Sequence, residues 1–323
     1  MEETEEFEVV GLYSVTGIPP EGNAPGLDSE VSKKDTPTVA ATGPGLFSEI
    51  DRKAKDLLYK DFSTGQKFSL TTCSKNGLAI TTASTRKHKA IFSKIQTQLK
   101  NNNVTVDVEA TLDSRIFPRN KMFTTITTER LPIPGLKKII SFPIPYQQTA
   151  GKVELQYLDD YAGISLGVGL NSKPLVNLSC VFGNKTVAVG ADVAFDSSTE
   201  DFTEYNAGLK FTTPDLAAAL MLINKGESLA ASYYQLVNEE SGSAVGGELT
   251  HSFSRKKNSF AIGALHALDP LTTVKIRYSS RGMIGALIKH EWRPKTSFTL
   301  STQVDTNAIN KAPEVGLAVA LKP

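Results

Sequence analysis

The chain is 323 residues long, 40% hydrophobic and 21% charged, with a formal net charge of +1; that length suits one large domain or two ordinary ones. Cys73 and Cys180 are too few for a disulfide scaffold. No run of about 18 apolar residues exists, which excludes a spanning helix but not a spanning barrel, whose apolar surface is hidden by alternation.

The charge is uneven. Residues 1–43 hold nine acidic side chains against Lys33 and Lys34, a net of −7, and the remainder carries a net of +8. Gly17, Pro19, Pro20, Gly22, Pro25 and Gly26 punctuate the stretch, and no apolar period runs through it. Residues 1–42 therefore read as a disordered, anionic extension. Its start, MEETEEFEVV, has neither the layout of a secretory signal nor the arginines of a transit peptide.

Pro44 to Phe62 reads as a helix. Leu46, Ile50, Ala54, Leu57 and Leu58 recur at helical spacing and make one apolar stripe. Glu49, Asp51, Arg52, Lys53, Lys55, Asp56 and Lys60 cover the other faces. Pro44 suits a first helical turn, where a missing N–H costs nothing, and Gly65 marks the exit. Residues 43–65 are thus a helix and its linker, and residues 66–323 a wall around them.

Beyond the helix a period of two takes over. Val104, Val106, Val108, Ala110 and Leu112 point one way, and Thr105, Asp107, Glu109 and Thr111 the other. The same rhythm runs through 152–157, 162–170, 187–195, 205–211, 245–253, 298–304 and 315–321. Asn76-Gly77, Asn101-Asn102-Asn103, Gly183-Asn184, Lys225-Gly226, Asp269-Pro270 and Arg281-Gly282 supply turns. The pattern predicts nineteen strands: 67–74, 78–86, 91–100, 103–112, 120–129, 136–144, 150–158, 161–170, 174–182, 185–196, 202–212, 215–223, 227–237, 242–253, 258–267, 271–279, 282–290, 295–304 and 313–321. Most have the roughly 9–11 residues that a tilted strand needs to cross a bilayer.

A soluble sandwich also alternates, but its apolar sides share a core. Nineteen strands closed in one sheet enclose a lumen too wide for side chains to fill, since barrels of about 16–18 strands already hold water. Water inside and apolar residues outside require lipid outside, where every backbone polar group must be paired and the sheet must close. Tyr157, Tyr161, Tyr278 and Trp292, near strand ends, suit interfacial girdles. Periodicity by itself favours the barrel and leaves a soluble β protein open.

No catalytic constellation stands out. His88, His251, His266 and His290 are scattered, and Pro294 stands where a metalloprotease pattern after His290-Glu291 needs its second histidine. Gly183-Asn184-Lys185-Thr186 lacks the upstream glycine spacing of a phosphate loop. The chain reads as no enzyme, with no metal, no cofactor and no requirement for nucleic acid. Alternation instead puts Lys94, Lys100, Lys152, Lys210, Lys275, Arg277 and Lys289 on the polar, pore-lining face, among Asp107, Glu109, Glu154 and Asp192. A mild cationic excess on a low-dielectric wall concentrates anions. Screening over about 8 Å keeps the preference modest in a wide bore.

GPGLFSEIDRKAKDLLYKDF (43–62), HALDPLTTVKIR (266–277), HEWRPKTSF (290–298) and EVGLAVALKP (314–323) resemble the mitochondrial voltage-dependent anion channel family, its plant branch in particular. QKFSLTT, KNNN, LQYLDDYAGIS and LAASYYQ extend the resemblance over Gly43 to Pro323. It implies an all-β fold, a nineteen-stranded transmembrane β-barrel with an N-terminal amphipathic helix inside the lumen, its first and last strands pairing in parallel. It implies a voltage-gated, weakly anion-selective channel in the mitochondrial outer membrane that passes ATP, ADP, small anions and other ions.

Arg52, Lys55 and Lys60 match the basic positions that the family sets at its constriction; with Lys53, and with Glu49 and Asp56 beside them, they make up the expected gating helix. Their alternative reading is a solvated face with pairs such as Glu49–Lys53. Gly135-Leu136-Lys137 resembles a nucleotide-contacting segment. Glu314, Gly316, Val319 and Leu321 resemble a sorting signal, or simply form an alternating last strand. Membrane lipid, transported anions and nucleotides, a homo-oligomeric partner and docked cytosolic kinases are the expected partners. Two departures stand out: the acidic extension, and a glycine linker reduced to Gly65. Besides a channel, a non-conducting docking platform and a soluble binder of hydrophobic ligands remain open.

Overall fold

The computed structural model describes residues 43–74, 76–87, 90–101, 103–113, 121–129, 133–144, 151–293, 296–308, 310 and 312–322. The expected extension 1–42 and the strand ends at 120, 150 and 295 lie outside the described residues, as do His88, Asn102 and Pro294.

The strands are β1 Gln66–Cys73, β2 Leu78–Lys87, β3 Ala90–Asn101, β4 Val104–Asp113, β5 Lys121–Thr128, β6 Leu136–Ile144, β7 Gly151–Leu158, β8 Ala162–Leu170, β9 Leu175–Gly183 and β10 Val187–Asp196. They continue as β11 Asp201–Thr212, β12 Leu216–Ile223, β13 Ser228–Asn238, β14 Ser243–Ser252, β15 Lys257–Asp269, β16 Thr272–Ser279, β17 Met283–Arg293, β18 Thr296–Asp305 and β19 Glu314–Leu321. Each pairs antiparallel with its neighbours in the chain, and the nineteen form one sheet. β1 and β19 close it in parallel, from Gln66 opposite Leu317 to Leu70 opposite Leu321. All nineteen expected strands occur, with bounds displaced by at most three residues.

The period of two sorts side chains as lipid requires. Ile262, Ile276, Leu249 and Leu300 are all about half exposed on the outer face, while their strand neighbours Ala261, Lys275 and Ser301 are buried inside. Tyr161 (71% exposed) and Trp292 (62%) project at strand ends, where their rings meet both hydrocarbon and water.

The N-terminal helix differs from the expected single run. Phe47–Glu49 is a 3-10 turn, and only Arg52–Tyr59, here α1, is α-helical. Gly45 takes φ +82°, so the chain turns left-handed directly after Pro44, and Pro44 precedes the helical segment rather than opening it. Asp51, at φ −110° and ψ 10°, separates the two pieces. The exit is not at Gly65. Lys60 is already extended, at ψ 136°, and Asp61 has φ 73°.

Ile276→Arg, at the middle of an outer face, is expected to cost about 2–4 kcal/mol of stability in vesicles. Gln96→Arg, inward on β3, should cost much less. Urea unfolding of the two variants in the same lipid checks the assignment of faces.

Candidate functional site

Residues 43–65 cross the inner wall from one rim to the other. The segment enters beside Asp159, in the turn after β7, where a Cβ on Gly43 would strike the Asp159 carbonyl. It leaves at the opposite rim, where the Gly65 carbonyl accepts the Leu317 N–H at 3.0 Å and β1 begins.

Apolar contact holds it to the wall. Phe47, Ile50, Ala54, Leu57 and Leu58 are each at most 4% exposed. They fit because the wall beneath them is made of glycine and alanine. A Cβ on Gly190 would lie 2.9 Å from Phe47, one on Gly208 3.0 Å from Ile50, and one on Gly263 3.0 Å from Leu58. Gly246 faces Leu57, and Ala244 and Ala261 complete the bed beneath α1. Further along, Gly285 receives Phe62 and Gly316 receives the Ser63 carbonyl. Each of these glycines faces inward on its strand, so together they carve a track along which backbone and large side chains approach closely.

Polar contacts fix the register of the segment in that track. Lys210 Nζ donates to the Pro44 carbonyl at 3.2 Å. Lys275 Nζ donates to the carbonyls of Asp56 (3.2 Å) and Lys60 (3.4 Å), and Arg277 Nη1 to that of Leu58 (3.2 Å). The Asp56 carbonyl also accepts the Lys60 N–H at 3.3 Å, and the C-terminal end of α1 thus meets wall cations, as the helix dipole favours. Arg277 takes the Leu58 carbonyl, an acceptor that a further turn of α1 would use. The Arg277 guanidinium lies 4.4 Å from the Phe62 ring and 5.7 Å from the Tyr59 ring. Tyr59 donates to Glu248 Oε2 at 3.0 Å, and Ser301 Oγ donates to the Ser63 carbonyl at 2.5 Å.

The opposite face of α1 looks into the bore. Lys55 pairs with Asp51 at 2.7 Å, and Arg52 lies 3.7 Å from both Glu49 and Asp56. The expected Glu49–Lys53 pair is replaced by Glu49–Arg52, because the 3-10 turn shifts the helical phase. Lys53 Nζ lies 5.9 Å from the Tyr234 ring centroid and is exposed. Exposed pairs of this kind contribute about 0–1 kcal/mol each, so they tune the local charge more than they hold the helix.

The seven wall cations named from alternation all fall on the inward register, but they are used differently. Lys94 and Lys152 pair with Glu109 (2.8 Å) and Glu154 (3.1 Å). Lys210, Lys275 and Arg277 grip the docked segment. Lys289 lies inward between Thr273 and Thr299, and Lys100 ends the inward row of β3. Asp192 is buried and accepts from Asn206 at 3.3 Å. A polar cavity of about 180 Å³ separates Leu46–Ser48 from Lys152, Glu154, Asn177 and Asp192.

The two short motifs have plain structural uses. Gly135, at φ +80°, turns the chain against Leu158, Leu136 opens β6 opposite Tyr157, and Lys137 pairs with Glu129 at 3.4 Å. Val319 lies opposite the outward Phe68, and Leu321 shares its face, while Glu314 and Gly316 share the inward one. Sequence reasoning missed Phe47, whose place on the apolar face depends on the phase shift at Asp51. It also missed the glycine track, although the glycine-rich polar face of the strands was visible.

The sequence matches the eukaryotic porin family over residues 43–316. It is 66% identical to mitochondrial outer membrane protein porin 4 of Oryza sativa subsp. japonica across the whole of both chains. It is 58% identical to that organism's mitochondrial outer membrane protein porin 2, covering 87% of this chain and 97% of the relative. It is 52% identical to the outer plastidial membrane protein porin of Zea mays, over 86% of this chain and 98% of the relative. The segment before Gly43 thus has a counterpart in the first relative, whereas the family match begins at Gly43.

Gly263→Leu is expected to push Leu58 off the wall, at about 1–3 kcal/mol of overpacking. A spin label at position 53 should then become mobile. Gly247→Leu, on the outer face of β14, should leave that spectrum unchanged.

Proposed function

The chain belongs to the eukaryotic porin family, a family of membrane channels and not enzymes, and on that premise we propose that it is a weakly anion-selective, voltage-responsive pore of the mitochondrial outer membrane. The location follows the full-length relative, whose name carries that membrane. The observation that carries the reading is the closed nineteen-stranded wall with basic side chains facing inward and a charged helix docked across the bore.

Selectivity arises from the wall as a whole. Lys94 and Lys152 are offset by carboxylates, so the local excess rests on Lys100, Lys289 and the cations beside the helix. Lys210, Lys275 and Arg277 donate to backbone carbonyls, which carry no formal charge, and they raise the potential of the bore. Small anions, ATP and ADP pass because nothing binds them tightly. Arg52, Lys53, Lys55 and Lys60 meet phosphates in transit, the lysines as point charges. Lys137, with Gly135 and Leu136, offers a further phosphate contact at the rim.

Voltage acts on the same helix. Each elementary charge carried across the full field is worth about 2.3 kcal/mol per 100 mV. The glycine track and the three gripping cations set the resistance to that motion. Glu314, Gly316, Val319 and Leu321 are the proposed sorting signal, and homo-oligomers and docked cytosolic kinases are the proposed protein partners.

Reversal potentials of single channels in a salt gradient test the selectivity. A small anion-preferring potential is expected, and a cation-preferring one overturns the reading. Neutralising Arg52, Lys53, Lys55 and Lys60 to Gln should flatten conductance against voltage in planar bilayers; an unaltered curve removes the helix from gating. Arg277→Gln, which frees the Leu58 carbonyl, should lower the voltage needed to close the pore.

A further inference from the structure

Three consecutive turns at the rim where β1 begins carry Lys225, Arg255, Lys256, Lys257 and Arg281, with Glu227 as their one carboxylate. All five cations are exposed, and none is ion-paired among the described residues. The patch is bounded: the preceding turn on that rim, between β10 and β11, brings Asp196, Glu200 and Asp201. At the opposite ends of β12–β16 the turns carry Asp215, Glu239, Glu240 and Asp269 and no Lys or Arg. This sector of the barrel is therefore basic at one rim and acidic at the other.

Directly inside the basic turns, on the outer face, stand three rings. Phe253, Phe260 and Tyr278 are 48%, 41% and 39% exposed. Phe260 and Tyr278 lie 6.1 Å apart, and Phe253 lies 5.1 Å from His251. The turns are built, not loose. Phe253 N–H donates to the Glu227 carbonyl at 2.8 Å, Phe260 N–H to Ser280 Oγ at 3.0 Å, and Ser280 N–H to the Phe260 carbonyl at 2.8 Å. Rings facing lipid next to a strand end sit at the boundary of hydrocarbon and headgroup. The cations one turn beyond them are then at the depth of lipid phosphates, and each gains about 1 kcal/mol near an anionic surface.

We propose that this patch is a binding site for an anionic phospholipid. Arg255, Lys256 and Arg281 hold the headgroup, and Phe253, Phe260 and Tyr278 hold the upper acyl chains. The rings point to a lipid rather than a free phosphate, because a soluble anion has no use for them. The opposite rim of the same strands is acidic and repels such a headgroup, so the site is confined to one leaflet. The inference is independent of what passes through the pore and requires only that the barrel sit in a bilayer.

Native mass spectrometry of the full chain, released from phosphatidylcholine nanodiscs doped with phosphatidylinositol, tests this. The wild type is expected to retain phosphatidylinositol over phosphatidylcholine. Arg255→Gln with Lys256→Gln should weaken that preference about tenfold or more, from the loss of two basic contacts. Lys173→Gln with Lys185→Gln, an equal loss of charge at other turns, should leave it intact. Phe253→Ser should weaken it with no change in charge, and a preference untouched by Phe253→Ser would overturn the lipid assignment in favour of a bare anion site. The proposal also fails if the wild type shows no preference, or if the charge-matched control loses as much as the patch variant.

Discussion

Hydrocarbon offers no hydrogen bonds, and this one constraint organises the molecule. A strand edge left open in lipid would strand a row of N–H and C=O groups at several kcal/mol each. With nineteen strands in simple up-and-down order, the first and last run in the same direction, so the seam must close in parallel. β1 and β19 do so over five residue pairs. The outer face then has to be mostly apolar, and most charged residues of the strands are displaced to the inside.

That displacement creates the inner surface on which function depends. A track of small inward residues leaves room for a second layer, and the residues before β1 occupy it. Glycines on β8, β10, β11, β14, β15, β17 and β19 lower the wall under the segment. The docked residues bury their apolar face as a core would, although the rest of the bore has no core. Cations from β11 and β16 donate to backbone carbonyls at both ends of the docked segment. Eight residues of helix would be marginal in water, and packing on the wall is what makes α1 stable.

The two faces of the barrel also carry different kinds of information. Inside, opposite charges are interleaved, and most wall cations have a carboxylate or carbonyl within reach. Outside, in the sector from β12 to β16, charge is gathered at the turns and strand ends, where it is segregated by rim. Interleaving keeps a bore passable to many solutes, whereas segregation gives a surface sidedness.

The strand count, the inward parity of Lys94 through Lys289 and the outward parity of the aliphatic residues were all legible in the sequence. A period of two leaves only two faces to choose between, and lipid dictates the choice. The helix was legible as an amphipathic stretch but not in its bounds. Near Lys60, where the chain leaves helical geometry, the carbonyls of Asp56 and Leu58 accept from wall residues more than two hundred positions away. The glycine track was equally hidden: Gly190, Gly208 and Gly263 are unremarkable within their own strands and acquire meaning only when closure lines them up beneath Phe47, Ile50 and Leu58. Local alternation thus determined the barrel, since it depends on solvent and chain geometry alone. Where the helix breaks and what grips it were decided by tertiary structure, because those contacts exist only once the sheet has closed.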